Sequence, residues 1–274
     1  MDLNRARLCG LMYAFYRRHM KSTVQVHTPY HYLLGRMDFL INRGINPEVY
    51  MDAFFIEHAS DNDLERVRER FASAGLTITL HGPYMDLNPG SMDEKKRLST
   101  AGVYEKVFRV IERLRPGTVV LHAGYHEKKF KGDYNLWLSQ SIKTWHPFVE
   151  RAERLSTVIA VENIFEKEPF TLKLLMDSFP SPNFGVCVDA GHMRVFSKVD
   201  MEEWFRVLGP RIAEVHLHDN HGEHDDHLPV GEGSIDFPMF FGLLSRYSKN
   251  PVYTIEPHGE EAMIRAVEAV KQYL

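Results

Sequence analysis

The chain has 274 residues, of which 44% are hydrophobic and 26% charged, and its formal net charge is −4. This composition argues against disorder and does not favour nucleic acid as a partner, because proteins that grip phosphate backbones carry a basic balance or a basic stripe. The sequence contains no run of about 18 apolar residues, which is the length that could span a membrane. Residues 1–20 lack the features of a signal peptide, so we expect a cytoplasmic protein. The two cysteines, Cys9 and Cys187, predict no disulfide framework, and Cys187 reads as core packing.

Short β-branched runs alternate with longer segments of helical period, preceded by an amphipathic helix predicted at residues 1–20. The runs that we predict as strands are 23–27, 48–55, 76–81, 118–122, 157–162, 184–189, 212–219 and 252–256. The clearest helical segments between them are 63–74, 93–114, 136–155, 201–208 and 260–273. Near-continuous apolar runs of this length are typical of strands that are buried on both faces of a parallel sheet.

Eight strands that alternate with helices predict a (β/α)8 TIM barrel, which we expect to form a single domain over residues 1–274. An open, doubly wound sheet is the structural alternative. Such a sheet usually has a glycine-rich G-x-G-x-x-G turn after its first strand, and the sequence contains no such turn.

Six consecutive predicted strands carry, at or near their carboxyl ends, a residue of a type that binds metals. These residues are His81, His122, Glu162, Asp189, His216 and Glu256. In a TIM barrel the carboxyl ends of the strands converge on the face where active sites lie. We therefore predict that the six side chains meet in one bowl as a metal site.

The segment 216–227 adds further candidates, because it contains five histidines and three aspartates. Asp225 and His227 are two residues apart in an extended loop, so their side chains can point the same way. His192 follows Asp189 by three residues, and Gly-Glu-Gly at 231–233 allows the loop to fold back over the site. Nine ligands without cysteine suit two or three divalent ions, with zinc preferred and manganese, cobalt or iron as alternatives.

Other residues of the same face are candidates for contact with a substrate. His27 and His58 follow the first two predicted strands and should lie at the rim of the bowl. Tyr84 and Asn163 could contact substrate, although helix capping or loop hydrogen bonds explain them equally well. We expect a small-molecule substrate, which could be phosphorylated.

The remaining histidines of the segment 216–227 are expected to support the site from outside. His218, His221 and His224 read as solvated loop residues or as groups behind the ligands. Metal-bound histidines need a partner on the second ring nitrogen, and Asp219 or Asp226 could provide it.

The motifs HGPY, VLHAGYH, VEN, GVCVDAGH, VHLHD, DDHLPVGEG and IEP resemble those of the endonuclease IV family, which belongs to the xylose isomerase-like TIM barrels. This resemblance implies that Glu162 bridges two metals. It further implies a first metal on His81 and His122, a second on Asp189, His216 and Glu256, and a third on His192, Asp225 and His227.

Two enzyme functions follow from these observations. The preferred interpretation is a metal-dependent hydrolase that cleaves a phosphodiester or a phosphorylated small molecule on two or three ions. The bulky, acidic stretch ENIFEKEPF departs from the DNA-cutting members of that family, and the pattern HGPYMDLNPGS, together with HLHDN and DDHLP, resembles instead the members labelled sugar-phosphate isomerase or epimerase. In that alternative, Glu162 and Glu256 move a proton on and off carbon beside one metal. A metal-dependent binding protein without catalysis is a third interpretation.

Overall fold

The computed structural model describes residues 24–274, so the helix predicted at residues 1–20 lies outside the described residues. Eight strands close into a barrel in chain order, and all neighbouring strands are parallel. They are β1 (Val24–Pro29), β2 (Asn46–Tyr50), β3 (Thr79–His81), β4 (Thr118–His122), β5 (Val158–Glu162), β6 (Phe184–Asp189), β7 (Ile212–Leu217) and β8 (Val252–Ile255). The predicted TIM barrel is thus confirmed.

Helices connect each strand to the next and follow the last one. They are α1 (Tyr30–Asn42), α2 (Ala53–His58), α3 (Asp61–Ser73), α4 (Glu94–Leu114), α5 (Glu127–Phe130), α6 (Tyr134–Leu155), α7 (Phe170–Asp177), α8 (Ala190–Phe196), α9 (Met201–Leu208), α10 (Phe237–Tyr247) and α11 (Glu260–Lys271). A short 3-10 turn, Gly209–Arg211, leads into β7. Between residues 24 and 274, no helix is long and apolar enough to cross a membrane.

The second predicted strand, 48–55, is wrong in its second half. β2 ends at Tyr50, and residues 53–55 lie in α2. The carboxylate of Asp52 accepts a hydrogen bond from the backbone N–H of Phe55 at 2.9 Å, which caps the helix at its N-terminus. This cap favours a helix over a strand, and Ile56 is the residue of α2 that is buried.

The inside of the barrel differs from the layer between the strands and the helices. That layer is a continuous apolar core. Inside the barrel, Val120, Ala160 and Cys187 form a small apolar cluster, which confirms Cys187 as a core residue. The strands also carry buried polar residues, namely Gln25, Glu48, Thr79, Glu214 and Thr254. The barrel therefore contains buried acid beneath the carboxyl ends of its strands.

Candidate active site

The predicted strand-end residues lie together at the carboxyl ends of the strands. The Nε2 atoms of His81 and His122 are 3.1 Å and 3.0 Å from Glu162 Oε2. Across the bowl, His216 Nδ1 is 3.1 Å from Glu256 Oε1 and 3.6 Å from Glu162 Oε1. The structure therefore brings residues of β3, β4, β5 and β7, together with the residue that follows β8, into one continuous group.

The sixth residue, Asp189, ends β6 and begins α8. Its Oδ1 accepts the backbone N–H of His192 at 2.6 Å and so caps α8, while its Oδ2 lies 3.8 Å from His216 Nδ1. The first turn of α8 then directs the ring of His192 back into the bowl, with Nδ1 at 3.2 Å from Glu162 Oε1. The spacing Asp-x-x-His thus reflects a helix N-terminus at the strand end.

The residues expected to hold a third metal also lie side by side. Asp225 Oδ2 is 3.3 Å from His192 Nε2 and 3.1 Å from His227 Nε2. His227 also reaches the main group, because its Nδ1 is 3.6 Å from Glu256 Oε2. We call His192, Asp225 and His227 the outer group. This group is in direct contact with the strand-end residues.

Of the two expectations for His218, the structure agrees with a group behind the predicted ligands and not with a solvated loop residue. The residue is fully buried, and its Nε2 lies 3.0 Å from Asp189 Oδ2 while its Nδ1 lies 3.6 Å from Asp225 Oδ1. Its ring stacks on that of His227 at 3.9 Å, whereas His221 and His224 are exposed, as expected. The sequence VHLHD could have indicated this position, because residues 216 and 218 are two apart and lie on the same side of an extended chain.

Asp219 holds the loop that carries Asp225 and His227. We expected it to be a possible partner of a ligand histidine, but its carboxylate bonds to the backbone instead. Its buried carboxylate accepts backbone N–H groups of Asn220, Gly231, Gly233 and Ile235 at 2.8 to 3.1 Å. A Cβ atom at Gly233 would lie 2.3 Å from Asp219 Oδ1, so glycine is needed there. These hydrogen bonds hold the Gly-Glu-Gly turn against Asp219, just after β7, and the folding of this loop over the site stays a prediction.

Aromatic rings line the side of the bowl formed by β1 to β4. Tyr84 is 42% exposed and stacks on the ring of His122 at 5.3 Å. His27 stacks on Tyr50 at 5.2 Å, and its Nδ1 lies 3.3 Å from Glu256 Oε1. Tyr84 and His27 therefore lie where a molecule in the bowl would meet them.

Two other candidate substrate residues have different surroundings. Asn163 is buried, and its amide pairs with the backbone of Asp189, donating to the carbonyl at 3.2 Å and accepting the N–H at 2.8 Å. This pairing fixes the end of β6 against β5. His58 lies exposed in α2, where its Nδ1 is 2.9 Å from the carbonyl of Phe54. Its contacts are with its own helix and not with the bowl.

Two glutamates of the bowl, Glu162 and Glu256, are held in their ionised form. Burial opposes ionisation of Glu162, but the imidazoles of His216 and His122 outweigh it and keep the pKa of this carboxyl well below its usual range. The pKa of Glu256 is lowered in the same way, mainly by His216 against burial. Within residues 24–274, the ion-pair partners of both carboxylates are all histidines. Several groups of three among these residues could hold a metal ion, for example His81 with Glu162 and His216.

The barrel and its bowl of histidines and carboxylates define an enzyme class in which chemistry takes place at the carboxyl ends of parallel strands. A family model described as xylose isomerase-like TIM barrel matches residues 45–273, and the chain belongs to this family. A protein of Methanocaldococcus jannaschii with no stated activity is 32% identical over 218 residues, which cover 78% of this chain and 83% of the relative.

Other relatives carry names that state an activity. A Haemophilus influenzae protein, whose activity as L-ribulose-5-phosphate 3-epimerase is itself an inference, is 27% identical over 199 residues, covering 66% of this chain and 67% of the relative. The crystal structure of a D-tagatose 3-epimerase-like protein superposes with a TM-score of 0.77 at 25% identity, covering 91% of this chain and 96% of that one. A Thermus thermophilus protein soaked with ZnCl2 has a TM-score of 0.76 at 22% identity, covering 91% and 97%. The chain is an enzyme of this family.

Proposed function

We propose that this chain is a metal-dependent isomerase or epimerase of a small sugar or sugar phosphate. The observation that carries the proposal is the convergence of Glu162, Asp189 and Glu256 on one buried nitrogen, His216 Nδ1. The names of the epimerase relatives support the same choice. The hydrolase preferred from the sequence becomes the second candidate.

The residues present fit a divalent cation. His216 Nδ1 is buried and has no hydrogen-bond partner among the described residues, although three carboxylates lie 3.1 to 3.8 Å from it. Donors about 2.1 Å from a tetrahedral ion lie about 3.4 Å from one another, and the distances from His216 Nδ1 to the three carboxylates are close to this value. Glu162, Asp189, His216 and Glu256 would hold the ion. Zinc is our first choice, with manganese, cobalt or iron as alternatives.

The two glutamates are placed to move a proton. Glu162 ends β5 and Glu256 follows β8, and because β6 and β7 separate these strands in the barrel, the two glutamates reach the bowl from different sides. One carboxylate removes a proton from carbon, and the other, once it has taken up a proton from solvent, returns a proton to the same or the adjacent carbon. The first carboxyl then releases its proton to solvent, which restores the starting state. A bound cation would polarise the neighbouring substrate oxygens and thereby make that carbon more acidic.

The rest of the bowl would orient the substrate. Tyr84 and His27 form its accessible aromatic side, and we propose them as substrate contacts. The C–H face of a sugar ring can pack on such rings while its hydroxyl groups point at the carboxylates. We assign Asn163 to the support of Asp189 and give His58 no part in substrate contact.

Specific contacts also favour the second candidate, a phosphodiester hydrolase. His81 and His122 both approach the second oxygen of Glu162, and the outer group provides three more donors. One metal requires none of these residues, whereas a cluster of two or three ions would use them all.

The test of the proposal is solvent exchange at carbon. The metal-loaded chain is incubated in D2O with a panel of ketoses and ketose phosphates, and NMR detects deuterium incorporation and the new epimer. We expect exchange in the parent and in the control His58→Ala, and its loss in Glu256→Gln. Cleavage of bis(p-nitrophenyl) phosphate without deuterium incorporation into any sugar would contradict the proposal and support the hydrolase.

A further inference from the structure

A buried glutamate lies beneath the bowl and belongs to none of the predicted ligand groups. Glu48 is in β2 and is fully buried inside the barrel. Its Oε1 is 3.4 Å from His27 Nδ1, and its Oε2 is 3.3 Å from His216 Nε2. A second buried acid, Glu214, lies nearby, but its Oε1 accepts a hydrogen bond from Thr254 Oγ1 at 2.5 Å. The other oxygen of Glu214 has no hydrogen-bond partner among the described residues, and a carboxylate oxygen of Glu214 lies within 4.8 Å of a ring nitrogen of His216. The acid in ion-pair contact with the nitrogen of His216 that faces away from the bowl is nevertheless Glu48, at 3.3 Å.

The two nitrogens of His216 have different surroundings. Nδ1 faces Glu162 and Glu256. Nε2 points into the barrel, where Glu48 is its carboxylate neighbour. The pair is in ion-pair contact without the alignment of a hydrogen bond, and neither Glu48 Oε2 nor His216 Nε2 has a hydrogen-bond partner among the described residues.

A neutral imidazole carries one proton. If Nδ1 gives its lone pair to a cation, the proton lies on Nε2, and an N–H group buried without an acceptor is costly. A carboxylate 3.3 Å away can accept a hydrogen bond from this N–H group after a small rotation of either side chain. It then fixes the tautomer and makes Nδ1 a stronger donor.

We propose that Glu48 is a positioning residue that holds His216 with Nδ1 directed at the cation. The inference rests on the role of His216 as a ligand in the proposed function. Partners behind a metal-bound histidine typically change metal affinity 10- to 100-fold when they are mutated. We expect a loss of about that size for Glu48.

The experiment measures cobalt(II) binding to the full chain, by competition with a chelator and by visible absorption. Glu48→Gln should weaken cobalt binding about 10- to 100-fold. It should also shift the cobalt absorption bands while leaving the number of ions at saturation unchanged. The control Glu214→Gln replaces a neighbouring buried acid and should bind cobalt as the parent does. If Glu48→Gln does not fold, Glu48→Asp carries the same test, because it withdraws the carboxylate by one methylene.

A double-mutant cycle tests whether the effect passes through His216. In a His216→Ala background, Glu48→Gln should no longer change cobalt affinity. Three results would overturn the inference: unchanged affinity in folded Glu48→Gln, an equal loss in Glu214→Gln, or one ion fewer at saturation, which would make Glu48 a ligand itself. A parent that binds cobalt but exchanges no sugar proton would contradict the proposed function and leave this inference standing.

Discussion

Asp219→Asn should release the loop that carries Asp225 and His227. The carboxylate of Asp219 is fully buried, and its Oδ2 accepts the N–H groups of Gly231 and Gly233 at 3.0 and 2.9 Å. In the variant, one oxygen becomes an NH2 group, which cannot accept either N–H. Two hydrogen bonds to a charged acceptor, each worth about 1.5–3 kcal/mol, would be lost, about 3–6 kcal/mol in all.

The loop can escape this cost by opening to water, so we expect local opening and not global unfolding. A loss of about 3 kcal/mol corresponds to exchange faster by on the order of 100-fold. Hydrogen exchange followed by mass spectrometry should show this acceleration in residues 220–235, with the strands of the barrel unchanged. Asp226→Asn in the same loop is the control, because Asp226 is exposed. Parent-like exchange in residues 220–235 of Asp219→Asn would refute the reasoning.

Three further predictions concern the carboxylates. Glu162→Gln should lose activity and at least one metal ion in elemental analysis, because an amide is a weaker ligand than a carboxylate; Glu232→Gln, which changes an exposed partner of Arg265, should keep the parent's metal content. Asp225→Ala combined with His227→Ala should lower metal content by about one ion per chain if the outer group holds an ion, and unchanged content would exclude that. Burial raises the pKa of Glu166 to about 7, so the folded chain binds this proton more tightly than the unfolded chain and loses stability as the pH rises from about 4.5 to 7. In urea titrations, Glu166→Gln should therefore gain about 2–3 kcal/mol over the parent between pH 5 and pH 8, and parallel pH profiles would show that Glu166 does not titrate in this range.

The fold and the strand-end residues could be predicted because both follow from periodicity. An apolar run that ends in His, Asp or Glu identifies both the strand and the polar residue at its carboxyl end, as at His122 and Glu162. The error at residues 53–55 arose because a run of aromatic and aliphatic residues suits either a strand or a helix. The capping hydrogen bond of Asp52 decides in favour of the helix.

The remaining features depend on contacts between distant segments. Glu48 lies in the middle of β2, and His216 lies in β7. The two residues come close because β1 pairs with β8 and closes the barrel. Asn163 and Asp219 carry polar side chains that suit substrate or metal, and their backbone partners become apparent only in the folded chain. Local sequence gives the residue type at such positions but does not give its partner.

The attachment of the outer group has a consequence for how this family can diversify. Asp225 and His227 stand on a loop segment that is held by the carboxylate of Asp219 and by backbone bonds between Asp219 and Leu228. The other candidate ligands stand on or beside strands and on the short helix after β6. Substitutions within residues 220–235 could therefore add or remove an ion while the barrel, its core and its inner carboxylates stay as they are. Barrels with different metal counts, and hence different reactions, would then be separated by changes in a single surface segment.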